Sequence, residues 1–232
     1  MKIEIWSDVM CPFCYIGKHH FEAALQKLPF KDEVEVEWKS FQLDPTLNPS
    51  ETKNTVSYLK DRKGFSENQS VQMVNQVSKM GKGTGLDFNF DKALVTNTFP
   101  AHKLLHLSKK HGQSSEMKEA LFAAHFTHGE NVADTEFLVS LAEKSGIDKN
   151  EARQVLSSDQ FDHEVHQDMS DAQHNGIRSV PFFILNGKYA VSGAQPVEIF
   201  ENALRQTYEE TVAPFKDLSN NNNSCDTDGC SI

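Results

Sequence analysis

The stretch that most constrains this chain is Ser7-Asp8-Val9-Met10-Cys11-Pro12-Phe13-Cys14-Tyr15-Ile16-Gly17. Before it, Ile3 and Ile5 alternate with Glu4, and Trp6 follows, as in a half-buried strand. After it, Ile16, Phe21, Ala24, Leu25 and Leu28 are spread along a helix. A strand therefore ends, a short loop turns, and a helix starts at or next to Cys11. A C-x-x-C at such a junction reads as a redox pair. The unpaired N–H groups and partial positive charge of a first helical turn stabilise an anion. Cys11, placed there, is expected to have a lowered pKa and to be the attacking sulfur. Cys14 lies about one turn further on the same side, close enough to close a disulfide. Pro12 costs no helical hydrogen bond at that position. Phe13 adds no second charge, so Cys11 is expected to be less acidic than in a pair enclosing a His. The competing readings are two buried structural cysteines, or half of a zinc site.

The 232 residues suffice for one large domain or two small ones, and 16 Phe can fill a sizeable core. A net charge of −10 disfavours nucleic acid and anionic membrane surfaces as partners. No apolar run reaches the roughly 18 residues of a membrane span. Met1-Lys2 leads straight into the first strand, with acids at Glu4 and Asp8 and no apolar signal-peptide core. Cytoplasmic work is the expectation, and disulfides there are mostly transient and catalytic or redox-sensing. The four cysteines form two close pairs, Cys11/Cys14 and Cys225/Cys230, which suits that role better than a stapled scaffold.

Along the chain, a strand over residues 2–8 and a helix over about 14–28 precede a second strand. In that strand Val34, Val36 and Trp38 alternate with Glu35, Glu37 and Lys39. The apolar parity flips at Phe41 and Leu43, which marks a bulge or the strand's end. A helix between two strands is long enough for a parallel crossover. From about 52 to 176 the period turns helical. One helix stops in the glycine cluster at 81–85, and another follows Asn97-Thr98 with Pro100 in its first turn. Asp134 and Asp148 are expected caps, the latter in a capping box with Glu151. Phe161, Val165, Met169 and Ala172 form one helical stripe.

Strand signals return at Val180-Pro181-Phe182-Phe183-Ile184-Leu185. Asn186-Gly187 is a type I′ hairpin signal before Tyr189-Ala190-Val191, and a last helix carries Val197, Phe200 and Leu204 on one face. The order predicts an α/β class, a thioredoxin fold with a large all-helical insertion. The expected division is a βαβ part at 1–50, the inserted helical domain at 51–176, a ββα part at 177–212, and a flexible tail at 213–232.

Val180-Pro181 sits where a redox fold places an X-Pro turn beside its active pair. A cis bond there exposes the backbone groups of Val180, on which an extended peptide can pair as an added strand. The plain alternative is a trans proline that starts a strand. The tail pair, on a linker with a reach of roughly 20 Å, is expected either to exchange disulfides with the active pair or to stay unpaired. A four-cysteine zinc site is the lesser alternative. His102 and His106 share one helical face but lack the H-E-x-x-H pattern, and His125 and His128 lie near a helix end; all four read as a polar face. His19, His20, His163, His166 and His174 read as solvated helix positions.

These residues resemble the DsbA-like thioredoxin superfamily, and within it the FrnE-type dithiol–disulfide oxidoreductases. The likeness is carried by the opening stretch, by Asn97-Thr98 with Ala101-His102, by Ser179-Val180-Pro181-Phe182-Phe183, and by Val191-Ser192-Gly193-Ala194-Gln195-Pro196. The tail pair is similar to one in some FrnE-type members. His125 and His128 stand where the pattern has an aromatic residue and an acid.

The resemblance implies disulfide exchange with protein thiols through Cys11 and Cys14, a cis Pro181, and substrate contacts by Val180, Pro181, Pro12, Phe13 and His102. Cys225 and Cys230 are implied as a secondary redox pair. No metal and no cofactor are expected, and glutathione or a thioredoxin system is the expected reductant. The neighbouring branch is similar in architecture: glutathione-dependent isomerases and kappa-class glutathione transferases, which use a Ser where Cys11 stands. A redox-sensing peptide-binding protein is the non-enzymatic alternative.

Overall fold

Strand β1 (Lys2–Ser7) pairs in parallel with β2 (Glu35–Ser40), and helix α1 (Pro12–Gln26) makes the crossover between them. The computed structural model describes residues 1–212, so Cys225 and Cys230, and the exchange expected of them, lie outside the described residues. β2 stops at Ser40, which accounts for the flipped parity at Phe41. On its other side β1 pairs antiparallel with β5 (Phe182–Leu185), which turns back into β6 (Tyr189–Ser192). The sheet order is β2-β1-β5-β6. Asn186 and Gly187 take φ of 51° and 66°, the positive values a type I′ turn demands.

One face of this sheet is covered by α1 and by α9 (Val197–Val212), which pack on each other. Ile3 and Ile5 of β1 meet Phe21, Phe183, Phe200 and Leu204 there. The Phe183 and Phe200 rings lie edge to face at 4.6 Å, an arrangement worth ~1 kcal/mol beyond the area it buries.

Between β2 and β5 the chain runs through seven α-helices among the described residues. They are α2 (Thr55–Lys63), α3 (Glu67–Gly83), α4 (Phe99–Lys110), α5 (Ser114–Ala123), α6 (Thr135–Lys144), α7 (Lys149–Leu156) and α8 (Asp162–His174). Leu104, Leu107, Leu121, Leu138, Ala152 and Val155 form a second core among them. One ladder interrupts the helices: β3 (Lys53–Asn54) pairs antiparallel with β4 (Leu94–Val95). At two residues a side it is too short to leave a periodic signal in the sequence. No helix among the described residues is long and apolar enough to cross a membrane.

Two local readings are corrected. Phe161 does not continue the α8 stripe; it is the residue before the helix, with a left-handed φ of 68°. Asp148 does cap α7, accepting from the amides of Asn150 and Glu151 at 2.9 Å. Glu151 does not complete a capping box, because its carboxylate is taken by Lys110 and His111, each at 2.9 Å.

The helical segment is tied to α1 by its aromatic residues. Tyr15 stacks on Phe122 of α5 at 4.8 Å, and its hydroxyl donates to Glu119 at 2.6 Å. Buried Lys18 donates to the same carboxylate at 2.6 Å. These contacts hold α5, and the turn that follows it, over the start of α1.

Candidate active site

Cys11 is the residue that caps α1, with φ −94° and ψ 109°, and Pro12 opens the helix behind it. The loop is closed by the Cys11 amide donating to the Asp8 carbonyl at 3.1 Å. The Cys11 carbonyl in turn accepts from the amides of Cys14 at 3.0 Å and Tyr15 at 3.4 Å, starting the helix. Both thiols are free and buried, Cys11 being 4% and Cys14 1% exposed. The Cys11 thiol donates to the Val180 carbonyl at 3.6 Å, 169 residues away in the chain. The Val180–Pro181 peptide is cis, as expected.

Met10, Cys11, Pro12, Phe13 and Val180 line one cavity of about 260 Å³. Its far wall is built from α2, α3, the loop before β4 and the turn that follows α5, through Tyr58, Met73, Val74, Phe90, His125 and Phe126. Phe13, 39% exposed, stands at the rim. Pro181 is buried beside it, its carbonyl accepting from the Gly193 amide at 2.8 Å. Four of the sequence-predicted site residues, Cys11, Pro12, Phe13 and Val180, thus line one opening, with Pro181 next in the chain to Val180 and Cys14 one turn behind Cys11.

His102 is not among them, which corrects its expected place on the substrate surface. It is completely buried, and its Nε2 lies 3.4 Å from Asp8 Oδ1. That contact sets the tautomer, because a carboxylate accepts only. His106, read with it as part of a polar face, is half-buried, and its Nε2 lies 3.1 Å from Asp168 Oδ2. Asp8 is itself completely buried and accepts from the amides of Leu43 at 2.7 Å and Met10 at 3.4 Å. Burial alone would raise its carboxyl, but the His102 hydrogen bond and the Leu43 amide hold it below the usual range. Burial holds the His102 imidazole below its ordinary range, against the pull of Asp8.

The expected lowering of the Cys11 pKa is overturned. Its thiol is pushed well above the ordinary range, first by its contact with the Cys14 thiol, then by burial, then by repulsion between the two sulfurs. The Asp8 carboxylate pushes the same way. The Cys14 amide at the helix end acts in the expected direction and is outweighed. The favourable field at the end of α1 is real, but two sulfurs in a dry pocket matter more.

Sequence reasoning passed over one buried group and misplaced another, which it had put on a polar face. Lys118 of α5 is completely buried, its ammonium 5.0 Å from the Phe122 ring centre and 5.6 Å from that of Trp38. It donates to the Ser7 carbonyl at 3.4 Å. Burial lowers its pKa to about 8, against the attraction of Cys14, Asp8 and Cys11. The available signal was a lysine sharing an i, i+3, i+4 stripe with Leu121 and Phe122. The second group is His125, 2% exposed, whose pKa burial brings down to about 4.

Comparison with known proteins agrees with this geometry. Residues 2–205 match the DSBA-like thioredoxin domain family. The Bacillus subtilis (strain 168) protein YwbO is 29% identical over 207 residues, which are 88% of this chain and 96% of that protein. Among solved structures, a probable DsbA oxidoreductase from Streptomyces coelicolor is 36% identical, with a TM-score of 0.88 over 100% of this chain and 99% of that one. The cytosolic disulfide reductase DsbM from Pseudomonas aeruginosa, 15% identical, shares the fold with a TM-score of 0.64 over 90% of this chain and 100% of its own. With a paired thiol at a helix start and a family match across nearly the whole length, the chain belongs to the DsbA-like thiol–disulfide oxidoreductases.

Proposed function

We propose that the protein exchanges disulfides with protein and peptide substrates, with Cys11 as the attacking sulfur and Cys14 as the resolving one. The observation that carries this reading is the Cys11 Sγ to Val180 carbonyl contact of 3.6 Å at the wall of an apolar groove. A substrate lying extended along Val180 brings its disulfide to Cys11, the one thiol among the described residues that borders the groove.

The Cys11 thiolate attacks one substrate sulfur, a Cys11–substrate bond forms, and the substrate S–S bond breaks. The second substrate sulfur leaves as a thiolate and takes up a proton. Cys14, deprotonated, then attacks Cys11 Sγ, closes the Cys11–Cys14 disulfide and releases the first substrate sulfur as a thiol. Two electrons pass from the pair to the substrate, and glutathione or a thioredoxin system restores the dithiol. If the substrate's own thiol makes the second attack, the outcome is isomerisation.

The raised Cys11 pKa supports reduction or isomerisation over net oxidation. A pair becomes a strong oxidant when its reduced form is stabilised, and here the neighbouring sulfur, burial and Asp8 together outweigh what favours the thiolate. The groove's apolar lining, with Thr55, Lys63 and His125 its few polar members, suits a peptide better than the two carboxylates of glutathione.

Insulin reduction and refolding of scrambled ribonuclease test the proposal. Turnover in both is expected from the full chain and is expected to fall to background in Cys11→Ser. A Cys11→Ser protein with full turnover would overturn it.

A further inference from the structure

The cavity beside Cys11 has a feature that disulfide exchange does not use. After α5 the chain makes one wide π-helical turn, Ala124–His128, a form that is rare and concentrated at functional sites. The turn is pinned on both sides. The Asn89 amide donates to the Phe126 carbonyl at 2.7 Å, and the Glu130 amide to the Ala124 carbonyl at 2.9 Å. Gly129, which ends it at φ 73°, packs against the Lys92 backbone so closely that a Cβ would stand 2.8 Å from the Lys92 carbonyl oxygen. The turn delivers His125 to the cavity wall. There the imidazole is 2% exposed; its Nδ1 is sealed off and has no hydrogen-bond partner among the described residues, so a guest in the cavity meets the ring through its other nitrogen.

We propose that this cavity is a side-chain pocket for a tyrosine next to the attacked cysteine of the substrate, with the His125 ring as hydrogen-bond partner of the phenol. The proposal rests on Cys11 being the attacking sulfur, and it names the substrate class that this sulfur meets. Cys11 and Val180 border the cavity, so a peptide paired along Val180 drops a residue adjacent to its cysteine into it. Phe13, Tyr58, Phe90 and Phe126, with Met10 and Met73, offer ring edges and sulfur to an aromatic guest.

An aliphatic guest would leave the His125 ring unpaired. A carboxylate would pair with Lys63 of the lining and would gain little from the uncharged His125 imidazole. An indole N–H only donates, whereas a phenol hydroxyl both donates and accepts and so serves either imidazole tautomer. Sequence spacing had placed His125 on a polar face; the π-helical turn places it at the cavity instead.

The test uses p-cresol and toluene, the side-chain analogues of Tyr and Phe, titrated into the full-length protein and followed by NMR of the His125 imidazole. Neither probe carries sulfur, so the result does not depend on whether the protein exchanges disulfides. p-Cresol is expected to bind about fivefold more tightly than toluene and to shift the His125 resonances, a ratio equivalent to ~1 kcal/mol. His125→Phe is expected to bring the ratio to one. His125→Gln, which keeps a donor and an acceptor, is expected to keep most of it, and thermal melts report whether each variant is folded. Equal affinities in the parent protein, or a preference that survives in folded His125→Phe, would overturn the pocket. In a second arm, peptide disulfides with Tyr, Phe or Ala beside the cysteine are expected to react in that order, Tyr about fivefold ahead of Phe. Equal rates for the three would overturn the substrate assignment while leaving exchange itself intact.

Discussion

Gly17 of α1 and Pro181 of the loop before β5 touch: a Cβ on residue 17 would lie 2.9 Å from Pro181 Cγ and 3.5 Å from the Cα of Ala194. The helix that carries the cysteines and the loop that carries Val180 are seated against each other at a point where only a hydrogen fits. The 3.6 Å contact between Cys11 Sγ and the Val180 carbonyl depends on that seating.

Gly17→Ala is therefore expected to push the loop away from α1. Overpacking of this kind costs ~1–3 kcal/mol, and a helical Ala returns roughly 1 kcal/mol over Gly. Stability in urea should fall modestly. Insulin reduction should fall further, by about tenfold, because a small displacement at a reacting centre is costly. Unchanged turnover in Gly17→Ala would mean that the loop position does not matter.

The reduced pair holds its protons. Alkylation of Cys11 as a function of pH should show a midpoint above that of an ordinary thiol, and Cys14→Ser should bring that midpoint down, since the neighbouring sulfur is the first cause of the shift. In glutathione buffers the pair should have a potential closer to the roughly −270 mV of thioredoxin than to the roughly −120 mV of DsbA.

Much of this was legible in the sequence. The strand–loop–helix around Cys11, the parallel crossover, the Asn186-Gly187 turn and the cis Pro181 all rest on local patterns, and local patterns read directly. What stayed hidden depends on partners far along the chain. Asp8, His102 and Lys118 are polar in any scale, and their burial follows from each meeting an amide, a carboxylate, a carbonyl or a ring from another element. The raised Cys11 pKa escaped only partly for that reason: its first cause, Cys14, is local and was in view, but the burial that adds to it is supplied by Phe122, Phe126 and Val180 from far along the chain. His125 was misplaced because a π-helical turn breaks the 3.6-residue spacing on which helical faces are read.

Lys118 carries a linkage with a definite sign. Its folded pKa of about 8 lies below the ordinary 10.5, so below pH 8 both states are charged and the burial penalty is fully present. Between pH 8 and 10.5 only the unfolded chain keeps the proton, and stability rises with pH. Lys118→Met keeps most of the packed stem and removes the charge. It is expected to stabilise the protein at pH 7 by ~1–3 kcal/mol and to abolish the rise above pH 8. The alkylation midpoint of Cys11 should move little, because Lys118 has already given up its proton at the pH where Cys11 titrates. Urea melts at pH 7 and 9.5 check the first part, and the alkylation profile checks the second.

His125 gives a linkage at acid pH. Its folded pKa of about 4 lies below the ordinary 6.5. Between those values only the unfolded chain binds the proton, so stability falls as pH drops from 6.5 towards 4, by ~2 kcal/mol at pH 4.5. In His125→Gln the loss of stability between pH 7 and 4.5 should be smaller by about that amount. An identical loss in both proteins would show that His125 titrates normally.

The account turns on Cys11 making the first bond, and trapping that bond tests it most directly. Cys14→Ser protein, incubated with a peptide disulfide and digested without reductant, should yield a peptide adduct mapped by mass spectrometry to Cys11. Adding a thiol should release it. An adduct found elsewhere, with Cys11 recovered as a free thiol, would contradict the account.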